Sequence, residues 1–395
     1  MGATGLRLGD NVRRIVCSRT KNVAFERSQI TRPLGLCACC PAPGNPLVVE
    51  YERADAKSAF RDVSGMWRYE ALLPVAGVSE KYAADVGRTP LVRHDALGKA
   101  HDVEVFLKLE GGNPSGSFKD RGLSVAIALG KALGATGVCL PTQGNAGVAA
   151  SLFAARLGLP CLVYMPARHE GSVYHRAAKH FGARIHFFGA NIAEAGAEMR
   201  RVHGAAVKNG EMIDVSTFWE PGRLDGKKTM GLELVEQMGA DALPDWILYP
   251  TGGGTGLVGI WKAFSEMGVD PAKRPKMVAV QSTKCAPVVQ SFKRGLDHVE
   301  KIVSQGTIAD GLDVPGAIMG HGILEAVRAS GGTAIAVDDE AIVRDFGELA
   351  RSGVSASYEA AATVSALRAM RADGTIASGA RVLLLFTAGH AVTLG

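Results

Sequence analysis

Three times in this chain a short apolar run enters a glycine-bearing turn and leaves with helical spacing, and that repeated unit restricts the fold more than any other feature. In the first, Val103 to Leu109 leads into GGNPSGSFKDRG, residues 111–122, and Leu123 to Leu133 leads out. In the second, the stretch Gly137 to Ala155 reads GVCLPTQGNAGVAASLFAA. In the third, DWILYP from Asp245 gives way to TGGGTG and then LVGIWKAFSEM. Apolar runs alternating with helical stretches are the pattern of parallel strands joined by right-handed crossover helices. Cys161 to Met165 as a strand, Val173 to Phe181 as a helix and Arg184 to Phe188 as a strand continue the pattern. Farther along, strands are expected at Lys276 to Gln281 and Arg381 to Phe386, and helices at Asp338 to Leu349 and Tyr358 to Met370. The fold class is α/β.

With 395 residues, 47% of them apolar, the chain can bury a sizeable core in two or more domains. Its net charge of +5 is small for the length, and no Lys/Arg run interleaved with aromatics occurs, so nucleic acid is not an expected partner. Apolar runs such as Val382 to Phe386 are far too short for a bilayer, so no membrane insertion is expected. Seven cysteines, at 17, 37, 39, 40, 139, 161 and 285, are an odd number in a long chain and fit a reducing cytoplasm. The first thirty-five residues are rich in arginine and poor in acids, as in a transit segment or a packing arm. Met1 to Val75 shows no regular periodicity. Cys37 and Cys40 have the spacing of half a zinc knuckle, but a second pair does not follow. The expectation there is a turn with buried thiols before a strand at Leu47 to Tyr51, and no metal.

The three turns carry the chemistry. Lys119 stands where a strand hands over to a helix, near the positive end of the helix dipole, which favours a neutral amine suited to a carbonyl cofactor. A solvated lysine after a loop is the other reading. The turn at Gln143 to Asn145 presents amides at a helix start and can bind an anion, most simply a carboxylate, or serve as an ordinary capped turn. Gly252, Gly253, Gly254, Thr255 and Gly256 form a cup suited to phosphate, outside both the GxxxxGKS/T and the GxGxxG patterns. Thr387 ends the last strand, where its hydroxyl can meet a heterocyclic nitrogen or cap the strand end.

Taken together, LEGGNPSGSFKDRG, PTQGNAG and PTGGGTG, in that order, resemble the fold-type II pyridoxal enzymes (tryptophan synthase beta-like) and, within them, the threonine synthase family. The likeness spans nearly all of Arg88 to Thr387 and takes in STFWEPGRLDGKKT, MVAVQSTKCAPVV and TIADGL. It implies two three-layer α/β lobes with mostly parallel sheets: a large one from residues 81–124 plus 216–395, and a smaller inserted one from 125–215, after an N-terminal segment 1–80. It implies pyridoxal 5'-phosphate as the cofactor, with Lys119 as its Schiff-base residue and the acid/base at the substrate carbons. Asn145 would bond the cofactor's phenolic oxygen, Gly252 to Gly256 its phosphate, and Thr387 its ring nitrogen. Thr142, Gln143 and Gly144, with Ser117 and Ala146 alongside, would hold the substrate carboxylate, and Arg223 the substrate's own phosphate. The implied reaction turns O-phospho-L-homoserine and water into L-threonine and phosphate. A small amino-acid substrate and a homodimer are the family's habit.

The chain departs from that family in places. The stretch GSVYHRAAKHF, residues 171–181, has Tyr174, His175 and Ala177 where a lysine and a glutamine are common. Glu220 replaces a usual asparagine, and the tail AGHAVTLG lacks the glycine-leucine-lysine ending. Two competing readings follow: a threonine or serine dehydratase, which would not need Arg223, and a non-catalytic sensor that binds the cofactor or an amino acid.

Overall fold

The repeated units build two sheets. In the computed structural model, which describes residues 5–41, 43–52, 60–83 and 85–389, the larger sheet has six strands. Thr333–Val337, Lys276–Ser282, Trp246–Pro250, Arg381–Phe386, Glu104–Leu109 and Leu91–Arg93 lie side by side in that order. All neighbours run parallel except the last pair. The smaller sheet has the order Arg184–Phe187, Cys161–Met165, Gly137–Pro141, Met212–Asp214, and all its pairs are parallel. The expected α/β class with mostly parallel sheets is borne out. Residues 1–4, 42 and 53–59 of the N-terminal segment, and the tail from His390, lie outside the described residues. Among the described residues no helix is long and apolar enough to cross a membrane.

Strand side chains alternate between faces, and here both faces are covered. Ile247, Tyr249, Met277, Ala279, Leu383 and Leu385 share one buried cluster with Met230, Leu257 and Ile260 of two helices. Leu248, Val278, Val280, Val382 and Leu384 fill another with Ala361, Val364 and Leu367 of the helix Tyr358–Ala372. That two-sided burial is why these strands read as continuous apolar runs. In the smaller sheet, Val138, Leu140, Val163 and Met165 pack against Leu123, Ile127 and Phe153, and Cys139 and Tyr164 against Ala195 and Met199.

The helix of the lysine turn begins at Lys119 itself rather than at Leu123, and runs unbroken to Ala132. It leaves the end of a large-sheet strand and packs on the small sheet, so Lys119 sits at the seam between them. Two long helices, Ile192–Asn209 and Gly222–Met238, were not expected. Nor were the strands Val12–Cys17 and Val23–Glu26, which join Leu47–Tyr51 in an antiparallel sheet.

Beneath the seam, Arg121 donates to both carboxylate oxygens of Glu110, at 2.7 and 2.9 Å, and to Glu233 at 2.9 Å. Lys108 donates to the other oxygen of Glu233 at 2.6 Å. All four groups are buried. Removing one partner leaves an uncompensated charge in a low dielectric. Arg121→Met should therefore lower the unfolding free energy by about 3 kcal/mol, read as a shifted midpoint in urea denaturation.

Candidate active site

The carboxyl ends of Trp246–Pro250 and Arg381–Phe386 open on one cavity, the place where open parallel sheets take ligands. Lys119, Asn145, Arg223 and Thr387 line it, as does the cup from Gly252 to Thr255. The glycines make room by close approach. A Cβ on Gly252 would fall 2.2 Å from the Gly311 carbonyl oxygen, and Gly254 has φ +74°, a conformation that side chains disfavour. Thr255 then starts the helix Thr255–Glu266, whose free amides face the cup.

Lys119 is half-buried, and its amine is pushed down to about 8, first by burial, then by the Arg223 charge, against an opposing pull from Glu359. Burial is the larger cause here, beyond the helix-start argument. A second lysine joins it. Lys227 donates to the Thr255 hydroxyl at 2.5 Å, and its amine and that of Lys119 lie 4.5 and 4.1 Å from the Phe118 ring centroid. Burial, Arg223 and Lys119 hold the Lys227 amine well below its ordinary range.

Arg223, in the first turn of Gly222–Met238, is buried. Its Nη1 donates to the Val215 carbonyl at 2.6 Å, whereas Nε and Nη2 have no partner. Burial lowers the guanidinium to about 10. Glu220 does not pair with it side chain to side chain. Its carboxylate accepts the amides of Gly222 and Arg223 at 2.5 and 2.9 Å, and burial lifts it to about 7. Asn145 begins its helix with Oδ1 buried and unpartnered.

Other expected residues stand back from the cavity wall. The Thr142 hydroxyl accepts the amides of Gly144 and Gly147 at 3.0 and 3.2 Å, so it folds its own turn. The Gln143 side-chain oxygen accepts from Arg168 at 2.7 Å. Gly144 lies against the Tyr174 ring, 3.0 Å from where a Cβ would be, and Ala146 packs toward the small-sheet core. Ser117 is buried, bridged through its backbone to Ala388, and its Oγ accepts the Lys119 amide at 3.4 Å. A Cβ on Gly256 would fall 1.9 Å from the Tyr249 hydroxyl oxygen, so that glycine serves helix packing.

Among the wall residues that were not anticipated are Thr217, Lys227, Gly311 and Glu359. Lys227 and Gly311 lie in stretches that carried the resemblance, EPGRLDGKKT and TIADGL. Glu359 sits in the first turn of its helix and accepts the Gly311 amide at 2.8 Å, with no motif to announce it. Among the described residues the wall thus holds Lys119, Lys227 and Arg223 against Glu359 alone, with unpartnered guanidinium hydrogens. A buried cation without a counter-charge is costly, so this cavity is built to receive anions, with a helix start and an arginine as separate places for them.

The sequence model of the family described as "Pyridoxal-phosphate dependent enzyme" matches residues 82–388. Threonine synthase of Methanosarcina acetivorans is 30% identical over 343 residues, 86% of this chain and 82% of that protein. Threonine synthase of Methanocaldococcus jannaschii is 29% identical over 353 residues, 87% of this chain and 85% of that one. Among solved structures, maize serine racemase aligns with a TM-score of 0.66 at 24% identity, over 76% of this chain and 88% of that one. Threonine deaminase isoform 2 from Solanum lycopersicum aligns with a TM-score of 0.65 at 19% identity, over 76% and 79%. The two structures speak to the fold alone.

Proposed function

This chain belongs to the pyridoxal-phosphate dependent enzyme family, and from that premise we propose that it is a threonine synthase, converting O-phospho-L-homoserine and water to L-threonine and phosphate. The observation that carries the reading is Arg223, a buried guanidinium with two unpartnered donor groups in the same cavity as the glycine cup. Two anion sites suit a phosphorylated cofactor and a phosphorylated substrate together. A dehydratase acting on threonine or serine would leave one idle. The curated relatives named threonine synthase support the same choice.

The cofactor is pyridoxal 5'-phosphate, and the residues present fit it. The cup is kept open by glycines that a side chain would close, and the Asn145 amide is short of a partner. When bound, this cofactor supplies an aldehyde for a lysine amine and an electron sink for charge developing at the substrate α-carbon. Lys119, poised near neutral pH, takes the α-carbon proton through its Nζ, returns it to the electron-rich carbon framework of the bound reactants, and as the restored free amine takes the β-carbon proton. The cup amides and Thr255 hold the cofactor phosphate, Asn145 its phenolic oxygen, and Thr387 its ring nitrogen, where a neutral hydroxyl leaves that nitrogen less protonated. Arg223 orients the substrate phosphate and stabilises its charge as it leaves the γ-carbon. Because the Thr142 hydroxyl takes the amides of Gly144 and Gly147 and Arg168 takes the Gln143 side-chain oxygen, the substrate carboxylate is held there by the remaining backbone amides at the helix start and the Gln143 side-chain NH2.

Residues 125–215 form the smaller lobe in this reading, closing on the lobe of 81–124 plus 216–395 to keep water out until the addition step. A cytoplasmic homodimer completes the proposal and rests on the family resemblance, with size-exclusion chromatography coupled to light scattering as its check. The reaction itself is tested by giving the cofactor-loaded protein O-phospho-L-homoserine, then L-threonine and L-serine. Phosphate and threonine in equal amounts are expected from the first substrate. Keto acid and ammonia from the others, with phosphohomoserine untouched, would assign the chain to the dehydratases.

A further inference from the structure

Cys37 and Cys40 do find a third sulfur, one that linear spacing conceals. Cys17 ends the strand Val12–Cys17 and is paired in register with Leu47, which starts the strand after the Cys37–Cys40 loop. The two loops therefore meet at one end of the small antiparallel sheet. The Sγ atoms of Cys17, Cys37 and Cys40 all lie within 4.8 Å of one another, with Cys17 to Cys40 at 3.6 Å and Cys37 to Cys40 at 3.7 Å. A disulfide would require about 2.05 Å. Thiolates on the corners of a tetrahedron around Zn²⁺, each about 2.3 Å from the ion, stand about 3.8 Å apart. The observed separations are those of the second arrangement.

The surroundings agree. The Thr20 hydroxyl and the amides of Thr20 and Arg19 are turned on the Cys17 sulfur. Amides turned on a sulfur stabilise the thiolate that a metal needs. Cys39, next to this cluster in the chain, is exposed and is not one of the three sulfurs that converge. The sheet also has a use for a staple. Its own buried cluster is small, built on residues such as Val12, Ile15, Leu34 and Val49, and small cores gain most from a metal or a cross-link.

We propose that Cys17, Cys37 and Cys40 bind one Zn²⁺ as a structural thiolate site, with a water molecule in the fourth position, tying the turn after Val12–Cys17 to the loop before Leu47–Tyr51. The site is separate from the catalytic cavity and serves the sheet whose Tyr51 ring packs under the Lys228 and Lys262 amines, 4.0 and 4.9 Å away.

The test uses the full chain purified without chelator. Elemental analysis should give about one zinc per chain, and Cys17→Ser and Cys40→Ser should each lose most of it. Cys139→Ser, which changes a buried thiol elsewhere, should keep it. Should the serine variants fail to fold, the unaltered chain still decides the matter. Replacing zinc by Co²⁺ should give the intense near-ultraviolet thiolate-to-cobalt band and the visible bands of a tetrahedral site. Zinc well below one per chain after loading, cobalt bound without those bands, or a disulfide joining any two of Cys17, Cys37 and Cys40 in mass spectrometry would each overturn the proposal.

Discussion

Lys119→Ala should lower threonine formation by at least about 10⁴-fold, with the protein still folded. The argument has three links. The lysine is the first residue of a helix that starts at the seam between two sheets, so its position is fixed by packing on both sides. Its surroundings hold the amine at about 8, by burial and by Arg223, so a useful fraction is neutral near physiological pH. Among the cavity's basic groups, Arg223 stays protonated and Lys227 is engaged with Thr255, so neither can take over a proton at carbon. Lys119→Arg should fail nearly as badly, because a guanidinium keeps its charge and cannot act as the base. Borohydride treatment followed by mass spectrometry supplies a readout apart from turnover: cofactor mass should be fixed on residue 119 in the unaltered protein and absent from both variants. Fixed cofactor mass on Lys119→Ala would transfer the role to another lysine, with Lys227 first to be examined.

Lys119 was legible because its signal is local: a strand, a glycine-rich loop and a helix within thirty residues. The same holds for the cup and for the strands Cys161–Met165 and Arg381–Phe386, whose expected and observed limits coincide. Residues placed by tertiary packing were not legible. Glu359 reaches the cavity because its helix covers one face of the large sheet, and no spacing along the chain encodes that. Thr142 shows how local hydrogen bonding also escapes the sequence. The resemblance implies that Thr142 helps hold the substrate carboxylate, and in the fold its hydroxyl accepts two amides of its own turn, a common role for threonine. The N-terminal strands escaped notice because short, half-exposed antiparallel strands carry weak periodicity, and with them the nearness of Cys17 to Cys37 was lost.

Arg223→Ala should lower kcat/KM for O-phospho-L-homoserine by roughly 10²–10³-fold, equivalent to about 3–4 kcal/mol from two charge-assisted hydrogen bonds. The side chain is already anchored by Val215, leaving Nε and Nη2 for the substrate phosphate without further ordering. Lysine at this position should recover part of the loss, supplying a point charge without the planar fork. A second consequence separates this role from a merely structural one. Arg223 depresses the Lys119 amine, so its removal must raise that pKa above about 8. Attachment of the cofactor to the cofactor-free protein needs the neutral amine and should speed up as pH rises through about 8 in the unaltered chain. In Arg223→Ala that rise should move to higher pH, and in Arg223→Lys it should stay near its original place. The Glu220 carboxyl moves in the same direction. Arg223 now lowers its pKa against burial, so without the arginine it becomes the neutral acid at pH 7 and leaves no buried, unpaired carboxylate behind. The alanine variant should therefore fold, and its loss should be specific to phosphorylated substrate. Equal losses toward an unphosphorylated amino acid, with the attachment profile unmoved, would remove Arg223 from the substrate site.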